Sequence, residues 1–171
     1  MQHIGTPIRL TTDDIARYIT IRRHMLETEP HAFGSHPDTD GALNPDTLRQ
    51  RITSNTNAIF ATADDTGQLT ATAAVFRELS PKTIHRANIV AVFTHPEHRG
   101  QGLAKACVTA ALDHAKAWPE AKVINLSVSP EAPAAKCLYE SLGFTQWGIE
   151  PNALQVGDTC HDEIHMQLVL R

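Results

Sequence analysis

Ile15, Tyr18, Ile19, Arg22 and Leu26 recur at the spacing that places residues on one side of a helix. Thr12-Asp13-Asp14, just ahead of them, offers capping oxygens and first-turn acids, and Ile8-Arg9-Leu10 before that reads as a short strand. Between Thr28 and Pro45 the pattern dissolves into Pro, His, Gly, Ser and Asp, an irregular stretch of a length that is commonly functional. A short helix is predicted over about Asp46 to Ser54. Asn57 to Ala63 and Gln68 to Glu78 read as strands, joined by the hairpin signal Asp64-Asp65-Thr66-Gly67. Ala87 to Thr94 is apolar almost without interruption, which predicts a strand buried on both faces. An alanine-rich helix follows over Leu103 to Ala117. Val123 to Ser129 alternates, with Ile124, Leu126 and Val128 on one face and Asn125 and Ser127 on the other. Pro133 opens a last helix that stops at Gly143. A hairpin closes the chain: Phe144 to Glu150, a turn through Gly157-Asp158, then Ile164, Met166, Leu168 and Leu170 alternating inward. Hairpins flank a strand–helix–strand–helix middle, so the fold class is α+β and not doubly wound.

Composition narrows the function classes. The 171 residues are 42% apolar and 20% charged, enough to bury a core in one domain, and no internal repeat or linker divides residues 1–171. No run of about 18 apolar residues is present to span a membrane. Lys and Arg total 15 against 19 Asp and Glu, a net charge of −4 that argues against nucleic acid as a partner. Cys107, Cys137 and Cys160 are odd in number and lack CxxC spacing, which suits a reducing compartment. The start, Met1 to Pro7, has neither a basic nor an apolar leader region, so a cytoplasmic location is expected.

The stretch from Val92 to Ala104 carries the most specific signal. A strand runs into Arg99-Gly100-Gln101-Gly102 and then a helix, the arrangement in which free backbone N–H groups and close backbone approach favour a phosphate. Arg99 adds a permanent cation. A Walker loop would need Gly-Lys-Ser/Thr, which is missing. A dinucleotide loop would need a third glycine where Lys105 stands.

Arg99-Gly100-Gln101-Gly102-Leu103-Ala104 resembles the (Gln/Arg)-x-x-Gly-x-(Gly/Ala) signature of the GNAT superfamily of acyl-CoA N-acyltransferases. Ala135-Lys136-Cys137-Leu138-Tyr139-Glu140-Ser141-Leu142-Gly143-Phe144 resembles the family's A-x-x-L-Y-x-x-L-G-F helix end. The signature core spans residues 87–144, and the likeness in element order runs over nearly the whole chain.

The resemblance implies a mixed, mostly antiparallel, twisted sheet of about 6–7 strands with about 4 helices, its central strands splayed to hold CoA. It implies acetyl-CoA as co-substrate. The pantetheine arm would pair along Val92, Phe93 and Thr94. The pyrophosphate would lie on Arg99, Gly100, Gln101, Gly102, Leu103, Ala104 and Lys105, with Ala132, Ala135 and Tyr139 along the rest of the cofactor. A backbone N–H near Phe93 or Thr94 would polarise the thioester carbonyl. Two positions depart from the pattern: Ala132 stands where an asparagine often touches pantetheine, and Ala104 where glycine is common.

Tyr139 is the family's general-acid position, and a phenol suits the protonation of a thiolate; the alternative is a tyrosine packed in the core. For a base the candidates are His85, before the apolar strand, and Glu78, at the end of the strand preceding it; each also reads as a solvated strand-end residue. His161-Asp162-Glu163-Ile164-His165 falls on strand alternation and lacks zinc-site spacing, so no metal is expected. Cys107 and Cys137 read as small buried thiols on alanine-rich helices.

The function expected is N-acetyl transfer from acetyl-CoA to a primary amine by direct attack in a ternary complex. The acceptor is expected to be a small molecule in preference to a protein, and the resemblance admits a homodimer through the last strands. A non-catalytic acyl-CoA sensor and a protein N-terminal or lysine acetyltransferase share the same features. The segment Glu27 to Asp46 carries Glu27, Glu29, Asp38, Asp40 and Asp46 without Lys or Arg, and reads either as a solvated loop or as a device steering a cationic amine.

Overall fold

The amino-terminal cap lies one residue earlier than the pattern suggests. In the computed structural model, which describes residues 5–170, Thr11 caps a 3₁₀ turn over Thr12–Asp14. Its own backbone N–H donates to Asp14 Oδ2 at 2.8 Å, so the two residues satisfy each other's orphan groups. Residues 1–4, part of the stretch read for a leader, and Arg171 lie outside the description. β1 (Ile8–Arg9) precedes this turn and α1 (Ile15–Thr28) follows it. Asn44 starts α2 (Pro45–Thr53) by accepting the N–H groups of Asp46 and Thr47, each at 3.0 Å, with proline at the first position where its missing N–H costs nothing.

β2 (Asn57–Ala63), β3 (Leu69–Arg77), β4 (Arg86–Thr94), α3 (Leu103–Lys116), β5 (Val123–Val128), α4 (Pro133–Ser141), β6 (Thr145–Val156) and β7 (Thr159–Val169) complete the chain. The seven strands form one sheet in the order β1-β2-β3-β4-β5-β7-β6. Every neighbouring pair is antiparallel except β4–β5. This is the α+β architecture expected. Among the described residues no helix is long and apolar enough to cross a membrane.

The sheet carries a core on each face. Against one face, Cys107, Val108, Ala111 and Ala115 of α3 meet Ala73, Ala87, Ile124 and Met166, all 0% exposed. Alanine facing alanine lets this helix settle close to the strands with few voids. On the other face Ile21, Met25 and Leu48 of α1 and α2 pack over Ile59, Ala61 and Phe93.

Three readings are corrected. β4 is not buried on both faces: Ile89 and Phe93 are, but Val90 is 44% exposed. Its apolar run lines a cleft instead of filling a core. β6 runs on to Val156, because register slips around Glu150 and Asn152, with Asn152 at φ 55, break the alternation that would have marked it. Cys137 is exposed, whereas Cys107 is buried as read.

Candidate active site

β4 and β5 pair only through Arg86–Val123, Ala87–Ile124 and Asn88–Asn125. From Ile89 onward β4 stays with β3, and from Leu126 onward β5 stays with β7, so the facing edges part into a wedge. A bulge sets the geometry of the β4 edge. Val90 lies opposite Ala74 but Phe93 opposite Thr72, and Ala91 takes the left-handed conformation at φ 54. That conformation costs a non-glycine residue about 1–2 kcal/mol. Thr72 Oγ1 holds it by donating to the Ala91 carbonyl at 2.8 Å. Past the bulge, His95 N–H donates to Thr70 O at 2.8 Å. Alternation along the strand then turns the Thr94 N–H toward the open edge, away from β3. The Thr94 hydroxyl is buried without a partner among the described residues.

The wedge belongs to a cleft of about 1100 Å³ that runs from the glycine loop, past β4, to the underside of α1 and α2. Arg99, Gly100, Gly102, Leu103, Ala104 and Lys105 line its loop end; Gln101 is not among the lining residues. Gly100 and Gly102 sit at φ 76 and 77, and a Cβ on either would meet nothing within 4 Å. Conformation, not crowding, therefore calls for glycine, and the space beside the loop is open. Gly102 begins α3 without a side-chain cap, leaving the first N–H groups of that helix for a ligand. Arg99 is anchored above the loop. Its Nε donates to Thr94 O at 3.2 Å and its guanidinium pairs with Glu29 at 2.6 Å.

Val92, Phe93, Thr94, Ala132, Ala135 and Tyr139 also line the cleft. Tyr139 is 5% exposed and packs edge-on against Phe144, and no hydrogen bond is made by its hydroxyl among the described residues. Burial raises its phenol far above the ordinary tyrosine range, so it holds its proton at neutral pH. Burial likewise pushes the Cys107 thiol up to about 11, and no cysteine lines the cleft.

Glu78 and His85 lie elsewhere, near the end where β4 and β5 are still paired. Glu78 accepts from Asn88 Nδ2 at 3.0 Å, and the His85 carbonyl accepts the N–H groups of Lys122 and Val123. Neither is a lining residue. The carboxylates that do face the cleft are Glu29, Asp40, Glu131 and Glu163. Glu131 pairs with His161 at 2.8 Å, and Asp40 with the buried Arg22 at 2.6 Å. The acidic loop thus presents no free carboxylate to the cleft. Glu29 and Asp40 are each neutralised by an arginine, and Asp38, its side chain 84% exposed, is not a lining residue. Tyr18, Arg22, Arg51, Glu131 and Glu163 carry no motif that marks them as site residues. The one hint was Arg22, a charge on the buried stripe of α1.

These features have known counterparts. The chain belongs to the acetyltransferase (GNAT) family, whose sequence profile matches residues 19–144. Spermidine N(1)-acetyltransferase of Vibrio cholerae serotype O1 is 37% identical over 65 residues, 38% of this chain and 38% of that protein. The structure of yncA from Salmonella typhimurium, solved with its cofactor acetyl-CoA, superposes with a TM-score of 0.83 at 21% identity, covering 98% of this chain and 94% of that one. Spermidine N-acetyltransferase from Vibrio cholerae, in complex with CoA and spermine, gives 0.74 at 20% identity, covering 96% of this chain and 95% of that one.

Proposed function

We propose that this protein transfers an acetyl group from acetyl-CoA to the primary amine of a small-molecule acceptor, by direct attack in a ternary complex. The observation that carries the reading is the wedge between β4 and β5, open along its backbone edges and bounded at one end by the glycine loop. Its groups suit the donor. The exposed N–H groups at the start of α3 match a pyrophosphate, with Arg99 beside them. The unpaired edge of β4 matches the amides of a pantetheine arm. The Thr94 hydroxyl, buried without a partner among the described residues, and the Tyr139 phenol on the cleft wall are donors for a ligand's acceptor atoms.

When bound, the thioester supplies an activated acyl carbon. The chain's own part is to place and polarise it. The Thr94 N–H faces the wedge, where it can donate to an oxygen gaining negative charge. Tyr139 keeps its proton for the sulfur end. Because burial has raised its pKa, its main service is a hydrogen bond that strengthens as charge develops there. Glu163 and Glu131, the latter paired with His161, line the same cleft as acceptors for an ammonium proton. The V. cholerae relative crystallised with spermine fits an amine acceptor of small size.

Thiol release from acetyl-CoA across a library of primary amines tests this reading. Saturable release with at least one small amine, and an acetylated product by mass spectrometry, is the expected result. Binding of CoA by calorimetry with no thiol released from any amine would make the protein an acyl-CoA-binding module. Acetylation confined to protein amines would overturn the small-molecule part.

A further inference from the structure

The donor's chemistry leaves one part of the cleft unexplained. Beneath α1 and α2 the cleft continues over Ile59, Ala74 and Val90, which lie side by side on β2, β3 and β4. Tyr18 and Arg22 of α1 and Arg51 of α2 also line this chamber.

Of the two arginines only one is neutralised. Arg22 is 7% exposed and donates through Nε to Asp40 Oδ2 at 2.6 Å, while Asp40 Oδ1 accepts the Ala42 N–H at 3.0 Å. The guanidinium of Arg51, an exposed residue, makes no ion pair and no hydrogen bond among the described residues. A Cβ on Gly41 would stand 3.3 Å from Arg51 Nη2, so this second guanidinium lies close to the Arg22–Asp40 pair. Two guanidiniums against one carboxylate leave a positive charge facing the chamber.

Tyr18 supplies the second observation. It is 2% exposed, it lines the cleft, and no partner for its hydroxyl is found among the described residues. A tyrosine hydroxyl on a cleft wall with no protein partner is free to donate to a ligand atom. A guanidinium and a hydroxyl, neither with a protein partner among the described residues and both facing one space, match an oxyanion. The same cleft offers Glu163, itself without a partner among the described residues, on β7, for an ammonium.

We infer that the chamber beneath α1 and α2 receives a carboxylate, so that the acceptor is an amine bearing an oxyanion, an amino acid or close analogue. Arg51 and Tyr18 hold the oxyanion, and Ile59, Ala74 and Val90 form an apolar floor for the body of the molecule. A polyamine fits less well, because its second ammonium would meet the unpaired guanidinium. This inference rests on the acetyl-transfer reading above.

The test compares thiol release for L-leucine and L-phenylalanine with that for isoamylamine and phenethylamine, which lack the carboxylate, and with spermidine. Values of kcat/KM at least tenfold higher for the amino acids are expected. Arg51→Met should cut the ratio of amino acid to decarboxylated amine at least tenfold, through the acceptor KM, and Arg51→Lys should restore part of it. Calorimetric titration of leucine into the CoA-loaded protein should weaken in parallel in Arg51→Met. Amines without carboxylate turning over as well as the amino acids would overturn the inference while leaving acetyl transfer standing. So would an Arg51→Met loss equal in both arms. If CoA binds and neither arm releases thiol, acetyl transfer itself falls, and the inference with it.

Discussion

Tyr139 and Cys107 are both buried, and burial keeps both protonated, yet the consequences differ. Cys107 is enclosed by the α3 core beside Thr62 and does not border the cleft. Tyr139 borders the cleft and is available as a donor. Removing only its hydroxyl, in Tyr139→Phe, should lower kcat by about 10- to 10⁴-fold with little change in acetyl-CoA KM, as loss of a group acting in the transition state does. Steady-state kinetics checks the split, and an unchanged kcat with chemistry rate-limiting would return Tyr139 to a packing role. Tyr139 was legible because its motif is local, read within one helix turn and the glycine after it. Tyr18 and Arg51 were not. A helix face that lines a cleft has the same periodicity as one that lines a core, so Tyr18 reads as packing. Arg51, on a short polar helix, carries no pattern at all. His85 and Glu78 are strand-end residues, and the sequence does not reveal which end of β4 opens.

At the level of elements, the loop between β4 and α3 was readable in detail, because positive φ demands glycine and a helix start demands a partner for its N–H groups. Gly102→Glu should abolish CoA binding by setting a side chain and a negative charge where the pyrophosphate would lie. Its left-handed conformation adds a stability cost of about 1–2 kcal/mol, too small to unfold the domain. Calorimetry alongside circular dichroism checks both halves: a folded variant with wild-type affinity would remove the loop from the site. β4 shows the opposite case. Apolar residues signal water exclusion, but the chain does not say whether protein or ligand does the excluding. A strand facing a ligand slot therefore reads as a core strand. In β6 the bulged register hid half the strand for a different reason, since alternation is lost wherever two residues face one.

For the whole molecule, the order of elements followed from the pattern, and the α+β class with it. The placing of β7 between β5 and β6 did not, because pairing between distant strands leaves no local trace. That placement brings Glu163 to the cleft. A ligand that fills the wedge binds the folded state alone, so CoA at one hundred times its Kd should stabilise the protein by about 2.7 kcal/mol. For a chain of this size that raises Tm by roughly 5–11 °C, measurable by a thermal scan with and without CoA. The short β4–β5 pairing has a mechanical side as well. Three residue pairs stitch one four-stranded plate, β1 to β4, to a three-stranded plate, β5, β7 and β6. The backbone ladder there is a seam too short to bear a load. What ties the plates together is the continuous apolar bed beneath them, where Ala87 and Ile89 of one share a core with Ile124, Leu126 and Met166 of the other. Such a joint resists separation by contact area and not by hydrogen bonds. It can flex a little at the open end without tearing at the closed one.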